Sequence, residues 1–140
     1  MTPTLVVDEP MQPRTVGRKR VIVVDENEVV RQVLSEFLGV AYTVDAASNA
    51  ATVLQLMACH PPDVILLDID TPGIAGGTLL EAFHHAGAPV PIFAMARHDT
   101  PAVKERAARH GAAACLPKPV DLRRLDAELA GALGVTPFLR

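Results

Sequence analysis

The sequence predicts an α/β domain with a doubly wound, five-stranded parallel sheet and five helices. Three observations predict it. Short β-branched apolar runs recur along the chain, each run is followed by a segment with helical spacing, and glycine or proline punctuates the joins. Apolar strands joined by helices imply a parallel sheet covered on both faces, and right-handed crossovers then make it doubly wound.

The elements follow in order. Val21-Ile22-Val23-Val24 reads as a strand buried on both faces. Val29, Val30, Val33, Leu34, Phe37 and Leu38 repeat at helical spacing, with Gly39 as a stop. Tyr42-Thr43-Val44 is a second strand. Ser48 is placed to cap a helix carrying Val53, Leu54, Leu56 and Met57, which Pro61-Pro62 ends. Val64-Ile65-Leu66-Leu67 is the third strand. A Gly-rich loop from Pro72 to Gly77 leads to a short helix with Leu79, Leu80 and Phe83. Ile92-Phe93-Ala94-Met95 is the fourth strand. Thr100-Pro101 is a cap with proline at the first helical position, and Gly111 follows that helix. Ala113-Ala114-Cys115-Leu116 is the fifth strand. Asp121 caps a last helix bearing Leu122, Leu125, Leu129 and Leu133, and Gly134 stops it. The apolar stripes of these helices read as core.

This organisation leaves residues 1–19 as an N-terminal tail broken by Pro3, Pro10 and Pro13, residues 20–134 as one domain and 135–140 as a C-terminal tail. With 140 residues, 49% of them apolar and only 4% aromatic, the core must be aliphatic. A net charge of −3 argues against a general nucleic-acid binder, and the small basic cluster Arg14, Arg18, Lys19 and Arg20 reads as a solvated lead-in. No apolar run approaches the roughly 18 residues of a membrane span, and no signal peptide pattern opens the chain. Cys59 and Cys115 make neither a disulfide framework nor a zinc site, and they read as reduced thiols of a cytoplasmic protein. His60, His84, His85 and His110 show no ligand spacing, whereas His98 falls beside a strand end.

In a doubly wound sheet, ligands sit beyond the carboxyl ends of the strands. Asp25-Glu26 ends the first strand, and Asp68 ends the third with Asp70 two residues on. Ala96-Arg97 ends the fourth, and Lys118-Pro119 follows the fifth. Asp25, Glu26 and Asp68 sum to −3, which Lys118 reduces to −2. Such a cluster is costly without a cation, and Mg²⁺ suits a few carboxylates plus retained waters and a phosphate oxygen. A carboxylate beside Mg²⁺ and a lysine is also a plausible phosphoryl acceptor.

Val23-Val24-Asp25-Glu26, Asp63-Val64-Ile65-Leu66-Leu67-Asp68, the Thr71-Pro72-Gly73 turn and Leu116-Pro117-Lys118-Pro119 together resemble the receiver domain of bacterial two-component response regulators, in its single-domain, chemotaxis-regulator-like form with a flavodoxin-like fold. The resemblance covers roughly residues 20–134. It implies that Asp68 accepts a phosphoryl group from a histidine kinase or histidine phosphotransfer protein. It implies that Asp25, Glu26, Asp68 and the backbone carbonyl of Asp70 help bind Mg²⁺, that Lys118 contacts the phosphoryl group, and that the bond to Pro119 is often cis. Glu26 replaces the family's commoner Asp on a longer arm.

Two positions depart further. The family usually carries Thr or Ser at the end of strand four, where this chain has Ala96, and often Tyr or Phe in strand five, where it has Cys115. Arg97 stands where a small residue is usual. The expectation is therefore a single-domain receiver with an atypical switch, a monomer or weak homodimer, that signals to an unknown protein target or serves as a phosphate sink. It has no catalytic output domain and binds neither nucleic acid nor membrane. Two other readings share these residues: a pseudo-receiver that binds partners without phosphorylation, and a phosphatase using Asp68-Ile69-Asp70-Thr71 as a DxDxT nucleophile motif. The phosphatase motif usually opens its fold, and here two strand–helix units precede it.

Overall fold

The computed structural model describes residues 17–71, 90–98, 100–109 and 111–139. Its strands are β1 (Arg20–Val24), β2 (Thr43–Ala47), β3 (Val64–Asp68), β4 (Ile92–Ala96) and β5 (Ala114–Pro117). Its helices among the described residues are α1 (Glu28–Leu38), α2 (Ala50–Cys59), α3 (Pro101–Arg109) and α4 (Leu122–Leu133). The expected short helix around Leu79, Leu80 and Phe83, the Gly-rich loop before it, and most of the N-terminal tail lie outside the described residues.

All strands are parallel, in the order β2-β1-β3-β4-β5. The chain thus moves outward from β1 in both directions, and β1 and β3 flank the point where the order reverses. Ligands collect at that point in such sheets. Alternation along the strands splits the core in two. Ile22, Val24, Ile65 and Leu67 pack with Val53 of α2 and Ala107 of α3. Val21, Val23, Val64 and Leu66 pack with Leu34 and Leu38 of α1 and Leu125 and Leu129 of α4. Among the described residues, a pair of helices therefore covers each face of the sheet, as continuous apolar strands demand.

Local details differ from expectation in instructive ways. The cap of α2 is Asn49, whose side chain accepts from Thr52 N, rather than Ser48. Either residue type can cap, and the one adjacent to the first helical residue does so. Gly39 ends α1 with ordinary right-handed angles (φ −63°), whereas Gly134 ends α4 in the left-handed region (φ 67°) that favours glycine. The apolar stripe of α1 is wider than its buried face. Leu34 and Leu38 are buried, but Val29 and Val33 are 67% and 49% exposed, and Leu54 of α2 is also exposed.

Both ends of the expected domain are tied down. The Arg18 guanidinium donates to the carbonyls of Gly39, Ala41 and Tyr42, closing the end of α1. After α4, the amides of Phe138 and Leu139 donate to the buried carboxylate of Asp126 at 3.2 and 2.8 Å. Phe138 then packs against Phe37 with the rings tilted at 48° and meets Tyr42 edge-on.

Candidate functional site

The ends of β1 and β3 deliver two carboxylates to one place. Asp25 is fully buried and Asp68 is 3% exposed. The peptide N–H of Asp25 donates to Ala47 O, extending the β1–β2 pairing by one residue. Its Oδ1 accepts from Asn27 N at 2.9 Å, while Asn27 itself caps α1 through Val29 N and Val30 N. Arg31, one turn into α1, donates to the carbonyls of Asp25 and Glu26. The loop between β1 and α1 is thus held from both sides.

Asp68 is fixed in the same manner. Its Oδ1 accepts from Asp70 N at 2.9 Å, and its carbonyl accepts from Thr71 N. Thr71 is buried, and its hydroxyl has no hydrogen-bond partner among the described residues.

Lys118 joins the two carboxylates. Its Nζ lies 2.6 Å from Asp25 Oδ2 and 3.0 Å from Asp68 Oδ2. Its backbone N–H donates to Ala96 O, which ties the residue to the end of β4, and its bond to Pro119 is cis. Burial works to lower the Lys118 ammonium, but the hydrogen bonds and charges of Asp25 and Asp68 outweigh it and hold it above its usual value. Burial pushes the Asp68 carboxyl up and the Asp25 charge adds to this, against the lowering action of Asp70 N–H and Lys118.

The structure therefore brings Asp25, Asp68 and Lys118 into direct contact. Glu26 and Asp70 stand at the surface, as do Arg97 and His98. The Arg97 amide makes a long 3.4 Å contact to Asp70 Oδ2. Ala96 is buried at the end of β4 and Cys115 is half-buried in β5, beside Ala94. Asn27 and Arg31 were not singled out by sequence, and Val29 and Val33, read there as core, are exposed. Asn27 acts through its own backbone amide on the Asp25 carboxylate, Arg31 acts on the carbonyls of Asp25 and Glu26, and Val29 and Val33 share the spacing of a buried stripe.

An open groove of about 800 Å³ runs over this cluster. Asp25, Glu26, Asp68, Lys118 and Arg97 line its polar end, and Val29, Val30, Val33, Leu34, Val120 and Leu122 form its apolar wall. Among the described residues, no three or more His, Cys, Asp or Glu side chains are grouped to hold a metal ion by themselves. Magnesium asks for less: one or two carboxylates, with waters and a phosphate oxygen completing its shell. Asp25, Glu26 and Asp68 are hard oxygen donors lining one groove end, and that donor set fits a largely hydrated Mg²⁺.

Comparison with known proteins gives a consistent result. The family model described as "Response regulator receiver domain" matches residues 21–130. The DNA-binding transcriptional regulator NtrC of Escherichia coli K12 is 36% identical over 101 residues, covering 71% of this chain and 22% of NtrC. The probable transcriptional regulatory protein NarL of Mycobacterium tuberculosis H37Rv is 33% identical over 102 residues, covering 71% of this chain and 47% of NarL. The chain thus spans less than half the length of either relative. Among solved structures, the signal receiver domain of an HD domain-containing protein from Pseudomonas fluorescens Pf-5 superposes with a TM-score of 0.78 at 28% identity, covering 84% of this chain and 95% of that one.

Proposed function

The chain belongs to the response regulator receiver domain family, and from that premise we propose that Asp68 accepts a phosphoryl group from the histidine of a kinase or phosphotransfer protein. The observation that carries this is the shared ammonium of Lys118 between Asp25 and Asp68 at the reversal point of the sheet.

One oxygen of the Asp68 carboxylate attacks phosphorus, the phosphorus–nitrogen bond of phosphohistidine breaks, and the imidazole leaves with that electron pair. Asp68 Oδ1 is oriented by Asp70 N–H and Oδ2 by Lys118, so the nucleophile is positioned before the donor arrives. Both contacts favour the ionised, nucleophilic form against the effect of burial. Lys118 offsets negative charge on the transferring group. Asp25, Glu26 and Asp68 would hold Mg²⁺, which supplies further neutralisation of the phosphoryl oxygens when bound. The imidazole enters over the groove, where Val29 and Val33 leave apolar surface in water for the donor protein to cover.

Output then follows from partner binding, or the domain acts as a phosphate sink. Ala96 favours a second reading, an interaction module that is never phosphorylated, because this buried strand end carries no hydroxyl. Incubation with acetyl phosphate and Mg²⁺ separates the two. The first predicts a gain of one phosphoryl mass that Asp68→Asn abolishes, and the second predicts none. Turnover of an aryl phosphate is expected in neither case and would instead indicate a phosphatase.

A further inference from the structure

We propose that Arg97 is the phosphoryl-oxygen clamp of this site, a role that rests on the phosphoacceptor reading of Asp68. Arg97 lines the same groove end as Asp25, Glu26, Asp68 and Lys118. Its guanidinium makes no hydrogen bond or ion pair among the described residues, while its backbone amide makes the long contact to Asp70 Oδ2. A cation beside three carboxylates that pairs with none of them keeps all its side-chain donors for a ligand.

Donor counting shows what such a ligand needs. A phosphoryl group on Asp68 presents three terminal oxygens. Lys118 has three N–H donors, and Asp25 and Asp68 engage two of them, so one remains. The Asp70 amide is engaged by Asp68 Oδ1, and the Ile69 amide by Met95 O. Ala96, the last residue of β4, is buried and brings no polar side chain. Arg97 is the next residue along, and its planar fork of five donors matches two phosphoryl oxygens at once. The charges agree: Asp25, Glu26 and Asp68 against Lys118 and Arg97 leave −1 at the groove end, so the second cation lowers the cost of adding a further anion there.

Beryllofluoride with Mg²⁺, titrated against the full chain and followed by amide resonances near Asp68, tests this. Hydrogen bonds to charged groups imply about ten- to hundredfold weaker binding for Arg97→Ala and for Arg97→Gln, which keeps the length without the charge. Arg97→Lys should recover only part of the loss, because a point charge lacks the fork. Arg97 is exposed, so melting temperatures should match the parent and exclude misfolding as the cause. Binding by Arg97→Ala equal to the parent's would overturn the clamp while leaving Asp68 as acceptor. Full recovery by Arg97→Lys would overturn direct forked contact in favour of charge alone. Failure of the parent itself to bind would remove the phosphoacceptor reading, and the clamp with it.

Discussion

Lys118 and Asp68 lie 50 residues apart in sequence, yet the Lys118 ammonium rests 3.0 Å from Asp68 Oδ2. Three strands converge to make that contact: β3 ends in Asp68, β5 leads into Lys118, and β4 between them holds the Lys118 amide through Ala96 O. The half-buried ammonium is shared with Asp25, and both carboxylates are buried, so changes at any of the three should be felt by the others.

Removing the ammonium should be costly. Lys118→Met leaves two buried carboxylates facing one another without their cation, a loss of about 3–5 kcal/mol at neutral pH. Urea denaturation at pH 7 should show it, and the deficit should shrink in acid as the carboxyls take up protons. A variant as stable as the parent at pH 7 would mean that the contact contributes little.

Asp25→Ala should be folded but should lose most Mg²⁺-dependent labelling, by at least about tenfold, since it removes one oxygen donor and one Lys118 anchor. Labelling by acetyl phosphate at increasing Mg²⁺ measures this. Parent-like labelling would place the metal elsewhere.

The raised Asp68 pKa sets a pH dependence. The folded chain holds this proton more tightly than the unfolded chain, so the group's contribution favours folding at low pH. That contribution is lost as pH rises from the unfolded value near 3.8 through the raised folded value. Asp68→Asn removes the cost of a buried ionised carboxyl, so its melting temperature should exceed the parent's at pH 7, with the gap narrowing toward pH 4. A gap independent of pH would contradict this.

The C-terminal latch gives a prediction away from the site. Asp126→Ala removes the acceptor of two backbone amides and should cost about 2–3 kcal/mol. Hydrogen exchange at Phe138 and Leu139 should accelerate together, while exchange in β1 and β3 follows only the global loss. Unchanged protection at both amides would mean that the ring contacts with Phe37 and Tyr42 hold the segment alone.

The strands and the polar ends that follow them were readable because an unbroken apolar run in a chain of alternating elements has few places to go. Asp25, Asp68 and Lys118 stand out in the sequence because Asp25 and Asp68 directly follow such a run and Lys118 comes two residues after one. Other features depend on contacts that local pattern does not carry. Asp126 lies on a helix where a charge ordinarily faces water, and only the returning amides of Phe138 and Leu139 explain its burial. Val29 and Val33 share the period of Leu34 and Leu38, but the sheet covers only one side of α1. Arg31 acts on carbonyls, which no side-chain motif announces.

Ala96 and Cys115, where the resemblance leads one to expect a hydroxyl and an aromatic, bear on the proposed signalling. Under the proposed phosphorylation of Asp68, the Ala96 side chain brings no hydrogen-bond donor and Cys115 opens no large pocket, so little differential affinity is left to shift α3, β5 and α4. Amide shifts on adding beryllofluoride and Mg²⁺ should concentrate near Asp70, Arg97 and His98. Shifts along β5 and α4 as large as those beside Asp68 would show that coupling survives by another route.

The identity of the phosphoacceptor is most directly tested by trapping the acyl phosphate. After acetyl phosphate and Mg²⁺ treatment, borohydride reduction converts a phosphorylated aspartate to homoserine, and peptide mass mapping then locates the changed residue. Conversion at Asp68 alone, absent without the donor, is the predicted result. Conversion at Asp25, Asp70 or another carboxylate with Asp68 untouched, or no conversion at all, would contradict it.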